Sequence, residues 1–592
     1  QFSLVPFNFK GSILSGAVSL LTIYNREKID LIRIMPILQL LGLHVYDEVT
    51  TRIGTADAQF GYIHSFRVTD RNGNRVDDKK RGQEIVILLK EVFLGNTEND
   101  SLNGLVLKTD LDWRLINVVM TYRNLFLQMD LPYSKERINK ILLKFPESTV
   151  LLCEYFETKF STSPTYGKRD YRLNVLLPKI KQAFMEKLSA VKDVADDAVL
   201  KGLFELIEFT VRTNFYVPRH SNQTFISVKI TPEDISIMPN PRPKFEIYVH
   251  DVGLEGTHLR FGSVARGGLR WSERPDDFRR EVLGLVKTQQ VKNAVIVPVG
   301  AKGGFVVKKS QLSRQEMGKE VKKQYTKFIE GLLDVTDTID ESAQVRRPNY
   351  VIAYDQPDPY MVVAADKGTA AMSDTANGIS KEYKFWLGDA FASGGSDGYN
   401  HKTEGITARG AWECVKLHFK EMGTDIQKEA FGVVGVGDMS GDVFGNGMLL
   451  SKMIKLNAAF NHLHIFLDPD PDPASSWKER KRLFDLPVSS WTDYSEKKIS
   501  KGGGIFDRSS KSIVLSPEVK KMLNVKTDSL SGEGVILAVL KMQTDLIWFG
   551  GIGTYIKSPE ESNLEVGDHA NDDIRISTKL CKAKEIGEGA NL

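Results

Sequence analysis

Phe431-Gly432-Val433-Val434-Gly435-Val436-Gly437-Asp438-Met439-Ser440-Gly441-Asp442 is an apolar run that breaks into glycines and leads into a helical stretch over 443–455. Strand, G-x-G-x-x-x-G turn and helix, in that order, open a dinucleotide-binding unit. The turn and the helix N-terminus bring backbone N–H groups to a pyrophosphate. Gly435, Gly437, Ser440 and Gly441 are the candidate residues of that turn. The alternative is a purely structural glycine turn, and the context argues against it. The next strand, 463–467, ends in Asp468, an acid able to accept hydrogen bonds from an adenosine ribose. Its separation from Gly437, 468 − 437 = 31, exceeds the ~20 of the usual fingerprint, so a longer crossover is expected. Asp470 and Asp472 add negative charge that repels a 2′-phosphate and favours NAD over NADP. A further strand, 545–548, runs into Phe549-Gly550-Gly551. In a doubly wound sheet those glycines lie beside the cofactor; otherwise they form a tight turn without a ligand.

Upstream, Arg266-Gly267-Gly268-Leu269-Arg270-Trp271 precedes a stretch containing Lys292 and then Pro298-Val299-Gly300-Ala301-Lys302-Gly303-Gly304. The pattern reads as an apolar strand over 295–299 that delivers Lys302 into a turn, where small neighbours allow close approach to the ammonium. Lys292 lies before the same strand, so two cations converge on one cleft. A second cation and partial burial both lower a lysine pKa. Such a lysine transfers protons or polarises a carbonyl. The plainer alternative is two surface charges around a tight turn. Val362-Val363-Ala364-Ala365-Asp366 is a buried strand ending in an acid. Its carboxylate is placed to exchange protons with a substrate nitrogen or water, or else to cap the next helix. Gly394, Gly395 and Gly405 lie in a polar, hinge-like stretch before a helix over 412–419.

The 592 residues suggest about four domains. Hydrophobic residues at 41% and charged residues at 26% are the balance of a soluble globular chain. Lys+Arg 79 against Asp+Glu 76 gives +3, which argues against a dedicated nucleic-acid or anionic-membrane binder. Cys153, Cys414 and Cys581 are far apart and in no ligand spacing, so a disulfide scaffold and a zinc site are not expected and a reducing cytoplasm is. His462 and His464 share a strand face without a third ligand, and no metal is expected. The basic run 478–482 reads as a solvated face. No apolar run reaches the ~20 residues of a membrane span. Periodicity divides the chain into a strand–helix–strand–strand module over 1–75, a mainly helical region over 76–224, an alternating strand–helix domain over 225–420 and the dinucleotide unit over 421–592. Both ends read as cut, the signature of a fragment.

Taken together, segments 261–309, 361–415, 431–473, 545–557 and 587–592 resemble the large bacterial-type NAD-specific glutamate dehydrogenases. The preceding ~240 residues resemble that family's long N-terminal region, with an ACT-like module at about 14–70. The resemblance implies an α/β multidomain fold. An α/β substrate domain and a Rossmann-like doubly wound NAD domain follow an ACT-like α+β module and a helical region. It implies NAD-dependent oxidative deamination of L-glutamate to 2-oxoglutarate and ammonia, in a cytoplasmic homo-oligomer with an effector at the ACT-like module. Lys302 then resembles the catalytic lysine, Asp366 the proton-moving aspartate and Lys292 the lysine that holds the α-carboxylate. Arg266 stands where smaller members have a lysine for the side-chain carboxylate, so a cation is retained with different geometry. Gly435, Gly437 and Gly441 would carry the pyrophosphate, Asp468 the adenosine ribose and Asn591 the nicotinamide ribose. The family continues beyond Asn591 with further strands, so the NAD domain is expected to be incomplete here. Two other readings stand beside this one. A related dehydrogenase for an apolar side chain has no use for Arg266. A non-catalytic regulatory subunit has no reason to keep Lys292, Lys302 and Asp366 together.

Overall fold

The structure, a computed structural model, describes residues 2–7, 18–54, 60–76, 79–218, 225–292, 299–309, 312–365, 369, 372–398, 400–487, 489–551, 553–566 and 568–588. It divides into two units, Gln1–Ser393 and Gly394–Leu592.

The first unit opens with a four-stranded antiparallel sheet of order β1-β2-β4-β3, formed by Phe2–Phe7 (β1), Val18–Asn25 (β2), Leu43–Gly54 (β3) and Phe60–Asp70 (β4). Leu31–Leu41 (α1) joins β2 to β3, and Gly42, at φ +91°, adopts the left-handed conformation that ends the helix and turns the chain straight into β3. Lys79–Leu94 (α2) follows. Alternation along β2 sends Leu21 and Ile23 inward to meet Ile34, Leu38 and Leu41 of α1. The strand–helix–strand–strand order is the expected one, and β1 is an addition to it.

The helical region comprises Trp113–Leu127 (α3), Lys135–Lys144 (α4), Pro146–Phe160 (α5), Leu177–Ser189 (α6) and Val194–Glu208 (α7). Asp112, Ser134 and Asp193 start α3, α4 and α7 by accepting backbone N–H groups that the helix cannot satisfy internally. The apolar core of the N-terminal module continues through these helices to one face of the next sheet, reaching Val228, Tyr248 and Val306.

That sheet has the order β12-β11-β9-β10-β8-β7-β6-β5 among the described residues. Its strands are Thr210–Thr213 (β5), Ile226–Ile230 (β6), Phe245–Asp251 (β7), Leu254–Arg260 (β8), Ala265–Trp271 (β9), Val299–Val307 (β10), Val363–Ala365 (β11) and Ala392–Ser393 (β12). β5 to β8 are antiparallel, and β10, β9, β11 and β12 run parallel. Phe278–Lys292 (α8) is the crossover from β9 to β10. Arg314–Asp334 (α9) and Ser373–Glu382 (α10) cover the opposite face, where Phe305 packs with Tyr325 and Phe328.

In the second unit the sheet order is β16-β15-β14-β13-β17-β18 among the described residues. The strands are Phe431–Val436 (β13), Ile454–Phe460 (β14), His464–Leu467 (β15), Gly504–Asp507 (β16), Gln543–Phe549 (β17) and Lys582–Glu588 (β18). β14, β13, β17 and β18 are parallel, a doubly wound arrangement whose strand order reverses between β13 and β17; β15 and β16 are antiparallel additions. The helix Ile406–Glu421 (α11) lies in this unit, although it precedes residue 421. Its Trp412 and Phe419 pack on Trp548 and Phe431.

The second unit departs from its sequence pattern at two helices. The helix expected over 443–455 is the single turn-and-a-half Asp442–Gly447 (α12), because Ile454, Leu456 and Ala458 alternate as strand residues buried in β14. The basic run 478–482 is not one solvated face. It lies on Pro473–Asp485 (α13), whose Arg480 is fully buried, donating to the Met448 carbonyl and the Ser476 hydroxyl. Among the described residues no helix is long and apolar enough to cross a membrane, and the three cysteines are free.

Candidate active site

Lys302 does not sit in a turn. It is the fourth residue of β10, paired with Leu259 of β8, and is only 6% exposed. The glycines around it belong to the strand, and close packing explains them. A Cβ on Gly303 would overlap Leu269 and come within 3.0 Å of His258. One on Gly304 would come within 2.5 Å of Val282 on α8. By alternation Gly300, Lys302 and Gly304 share a face, and the parallel register puts Arg266 of β9 opposite Gly300 and Arg270 opposite Gly304. That face looks toward α8, since Arg270 donates to Glu281 of that helix at 2.8 Å. The same register brings Gly268 opposite Lys302, and Ala364 of β11 beside Gly268. Toward β9 and β11 Lys302 therefore has neighbours with little or no side chain, on β8 the buried Leu259 lies beside it, and Arg266 is exposed further up the same face.

Lys292 is the last residue of α8, the helix that crosses this face; its side chain lies outside the described residues. Asp366 and Asn591 also lie outside them, and β11 ends at Ala365, immediately before Asp366. The segment leading into β11 is fixed from below. Asp358 accepts from Lys229 at 2.7 Å and from Arg260, and Arg260 also donates to the Tyr360 carbonyl. Burial raises the Asp358 pKa, but Arg260 and Lys229 outweigh it and hold the carboxyl at about 2. On the opposite face His258 is 1% exposed, and neither ring nitrogen has a partner among the described residues. Burial, aided by Arg260, pushes its pKa down to about 3, so it stays neutral and carries no proton chemistry near pH 7.

The second unit brings its glycines together where the strand order reverses. β13 ends at Val436, and Gly550, at the end of β17, donates to the Val436 carbonyl at 2.9 Å. A Cβ on Gly551 would lie 3.3 Å from Gly437 Cα; one on Gly550 would lie 2.5 Å from the backbone of Phe444. Gly435 and Gly437 likewise make room for the Phe444 side chain. These residues let α12 lie close against the two strand ends. Gly437, at φ +134°, gives the chain its turn. Gly441 starts α12, and the Ser440 N–H and hydroxyl both donate to Asp438. The N–H groups of Asp438 and Met439 have no acceptor among the described residues. Unpaired donors at the reversal point of a parallel sheet are the arrangement that receives a dinucleotide's phosphates, so the turn fits that group.

Asp468 is not part of this arrangement. It follows β15, which is antiparallel, and its N–H donates to the Asn457 carbonyl at 2.8 Å. Asn457 is three residues before Phe460, the partner of Val436, so Asp468 lies roughly 10 Å back from the strand ends. It is fully buried, and its carboxylate accepts the Ser500 N–H at 3.0 Å and the Ser500 hydroxyl. Burial raises its pKa above the ordinary aspartate value. Asp470 and Asp472 belong to the same region: Asp470 pairs with Lys455, and Asp472 caps α13. The separation of 31 is long because it runs past the second parallel strand to an antiparallel one. The second parallel strand is β14, and the residue after it is Asn461, 461 − 437 = 24 positions from Gly437. Asn461 donates to Asp438 Oδ2 at 2.8 Å and accepts from the N–H groups of Leu463 and His464. The spacing could have revealed Asn461. Nothing local announces Trp491, which donates to the Gly437 carbonyl at 3.0 Å.

The family model for the catalytic domain of bacterial NAD-glutamate dehydrogenase matches residues 183–592. The chain belongs to that family. The models for glutamate dehydrogenase helical motif 3 and for its ACT3 domain match 97–162 and 15–81, the helical region and the N-terminal sheet module. A NAD-specific glutamate dehydrogenase of Pseudomonas aeruginosa is 48% identical over 563 residues, covering 94% of this chain and 35% of the relative. Enzymes of the same name from Halomonas elongata and Mycobacterium tuberculosis are each 45% identical, covering 98% and 95% of this chain and 36% of each relative. The chain thus spans about a third of the length of the curated relatives it matches. Membership agrees with the α/β multidomain fold: a mixed sheet, a doubly wound parallel sheet, and an α+β module and helices ahead of them.

Proposed function

We propose that this chain carries the machinery for NAD-dependent oxidative deamination of L-glutamate to 2-oxoglutarate and ammonia. The observation that carries the reading is Lys302, an ammonium buried on a strand face among glycines, with the exposed cation of Arg266 on the same face. A dicarboxylic amino acid needs a cation for each carboxylate. In this reading Arg266 takes the side-chain carboxylate and Lys292 the α-carboxylate. Lys302 orients and activates the water that adds to the oxidised α-carbon, and Asp366 moves protons to the departing nitrogen. NAD⁺, when bound, supplies the hydride acceptor. Overall, L-glutamate, NAD⁺ and water give 2-oxoglutarate, ammonium, NADH and a proton. Gly437, Ser440, Gly441, Gly550 and Gly551 form the close-packed turn that receives the dinucleotide, with the free N–H groups of Asp438 and Met439 as phosphate donors. The other amino-acid dehydrogenase reading is disfavoured by Arg266, whose charge an apolar substrate would leave unpaired. The reading carries with it a cytoplasmic homo-oligomer and a small-molecule effector at the N-terminal sheet module.

The test is Lys302→Met, which keeps the volume and removes the charge. Glutamate-dependent NADH formation should fall by about 10²–10⁴-fold, while NADH binding persists. Turnover at the unsubstituted rate would overturn the assignment.

A further inference from the structure

We propose that Trp491 is a positioning residue that orients the Gly437–Asp438 peptide and so aims a backbone N–H at the phosphates of the dinucleotide. The inference rests on the dinucleotide reading above and extends it to a residue outside the glycine motif.

A trans peptide points its carbonyl and its N–H in opposite directions. Whichever way the Gly437 carbonyl faces, the Asp438 N–H faces the other way. Glycine has no Cβ to favour one orientation, and at φ +134° Gly437 sits where only glycine is comfortable, so the orientation must be imposed from outside. The Gly437 N–H is held by the Phe460 carbonyl at 2.8 Å, and its carbonyl by the Trp491 indole N–H at 3.0 Å. With the carbonyl committed to Trp491, the Asp438 N–H is left without an acceptor among the described residues. Rotating that peptide would turn a carbonyl oxygen toward the phosphates in place of a donor.

Trp491 is built to be rigid. It is fully buried, its ring stacks on Phe466 with centroids 4.8 Å apart at 23°, and Phe444 of α12 meets it edge-on at 5.8 Å. Ser490 and Asp493 close a reciprocal capping box around the Trp491–Asp493 turn, and Arg482 donates to the Asp493 carbonyl. The Asp438 carboxylate is kept occupied by Ser440 and Asn461. A single indole N–H therefore links a rigid aromatic cluster to the one peptide whose direction decides whether the turn attracts or repels an anion.

The decisive substitution replaces Trp491 by 3-benzothienylalanine, which has the same shape with sulfur in place of the N–H; Trp491→Phe is the second variant. Affinities for NADH, ADP-ribose and adenosine are measured by calorimetry, with melting temperature alongside. Loss of one phosphate donor should weaken NADH and ADP-ribose by about tenfold or more. Adenosine, which has no phosphate, and the melting temperature of the isosteric variant should be unchanged. Unchanged NADH affinity overturns the inference, and so does an equal loss for adenosine and NADH, which marks a merely structural role. Absence of NADH binding to the unsubstituted chain overturns the dinucleotide reading itself and the inference with it.

Discussion

Gly550→Ala tests the packing at the reversal point. The added Cβ would lie 2.5 Å from the N, Cα and Cβ atoms of Phe444. Non-bonded carbons rest about 3.5–4.0 Å apart, so the start of α12 must recede by about 1 Å. It has nowhere to go. The Phe444 ring fills the space left by Gly435 and Gly437 and bears edge-on against Trp491. Overpacking of this kind costs about 1–3 kcal/mol, and an obstacle made of backbone argues for about 3. For a unit of 592 − 393 = 199 residues, that is a fall of about 6–12 °C in the melting temperature. Gly410→Ala is the control: exposed on α11 with no atom within 4 Å of the new Cβ, it should stabilise by about 0.5–1 kcal/mol. Thermal unfolding followed by near-ultraviolet circular dichroism measures both. A Gly550→Ala protein that melts with the unsubstituted chain would refute the close-packed description of this site.

Two further outcomes follow from the same geometry. Asp468→Asn should leave the ratio of NAD to NADP use unchanged, because Asp468 is buried against Ser500 and well back from the turn; a marked shift toward NADP in steady-state assays would restore it to the ribose. Burial depresses the pKa of Lys159 to about 7, with Glu208 only partly opposing, while its ammonium donates to the Glu208 carbonyl at 2.5 Å. Unfolded lysine titrates near 10.4. Between about pH 7 and 10 the unfolded chain therefore binds more protons, and this lysine makes stability rise with pH. Lys159→Met should raise the urea midpoint at pH 6 and lose its advantage by pH 10; parallel pH profiles for the two proteins would contradict the burial argument.

The strands that flank the glycine turn are legible because their apolar runs are short and end in glycine: Phe431–Val436 and Gln543–Phe549 stand where the pattern places them. The glycines around Lys302 carry no local mark of their role. In one strand's sequence they look like a turn, and the reason for them lies on other elements, Leu269 and His258 on one face and Val282 on the other. The sequence pattern carries the helix past Gly447 because Leu449, Leu450 and Met453 continue an apolar run that only the pairing of Ile454–Phe460 with its neighbour interrupts. The same pattern hides the strand Ile454–Phe460 and leaves His464–Leu467, with Asp468 after it, standing in the sequence as the second strand. Arg480 shows the same limit: a basic run has no mark to say that its third member turns inward to meet Met448. Trp491 reaches Gly437 across 54 residues of sequence, a contact no local pattern encodes.

The most direct test of the central claim is absorbance at 340 nm when the protein, in the longest native form that contains this chain, is given NAD⁺ and L-glutamate, with leucine and phenylalanine as comparison substrates. The account expects NADH to accumulate with glutamate and far more slowly with the apolar amino acids. No glutamate-dependent NADH from a protein that binds the dinucleotide, or equal rates on leucine, would contradict it.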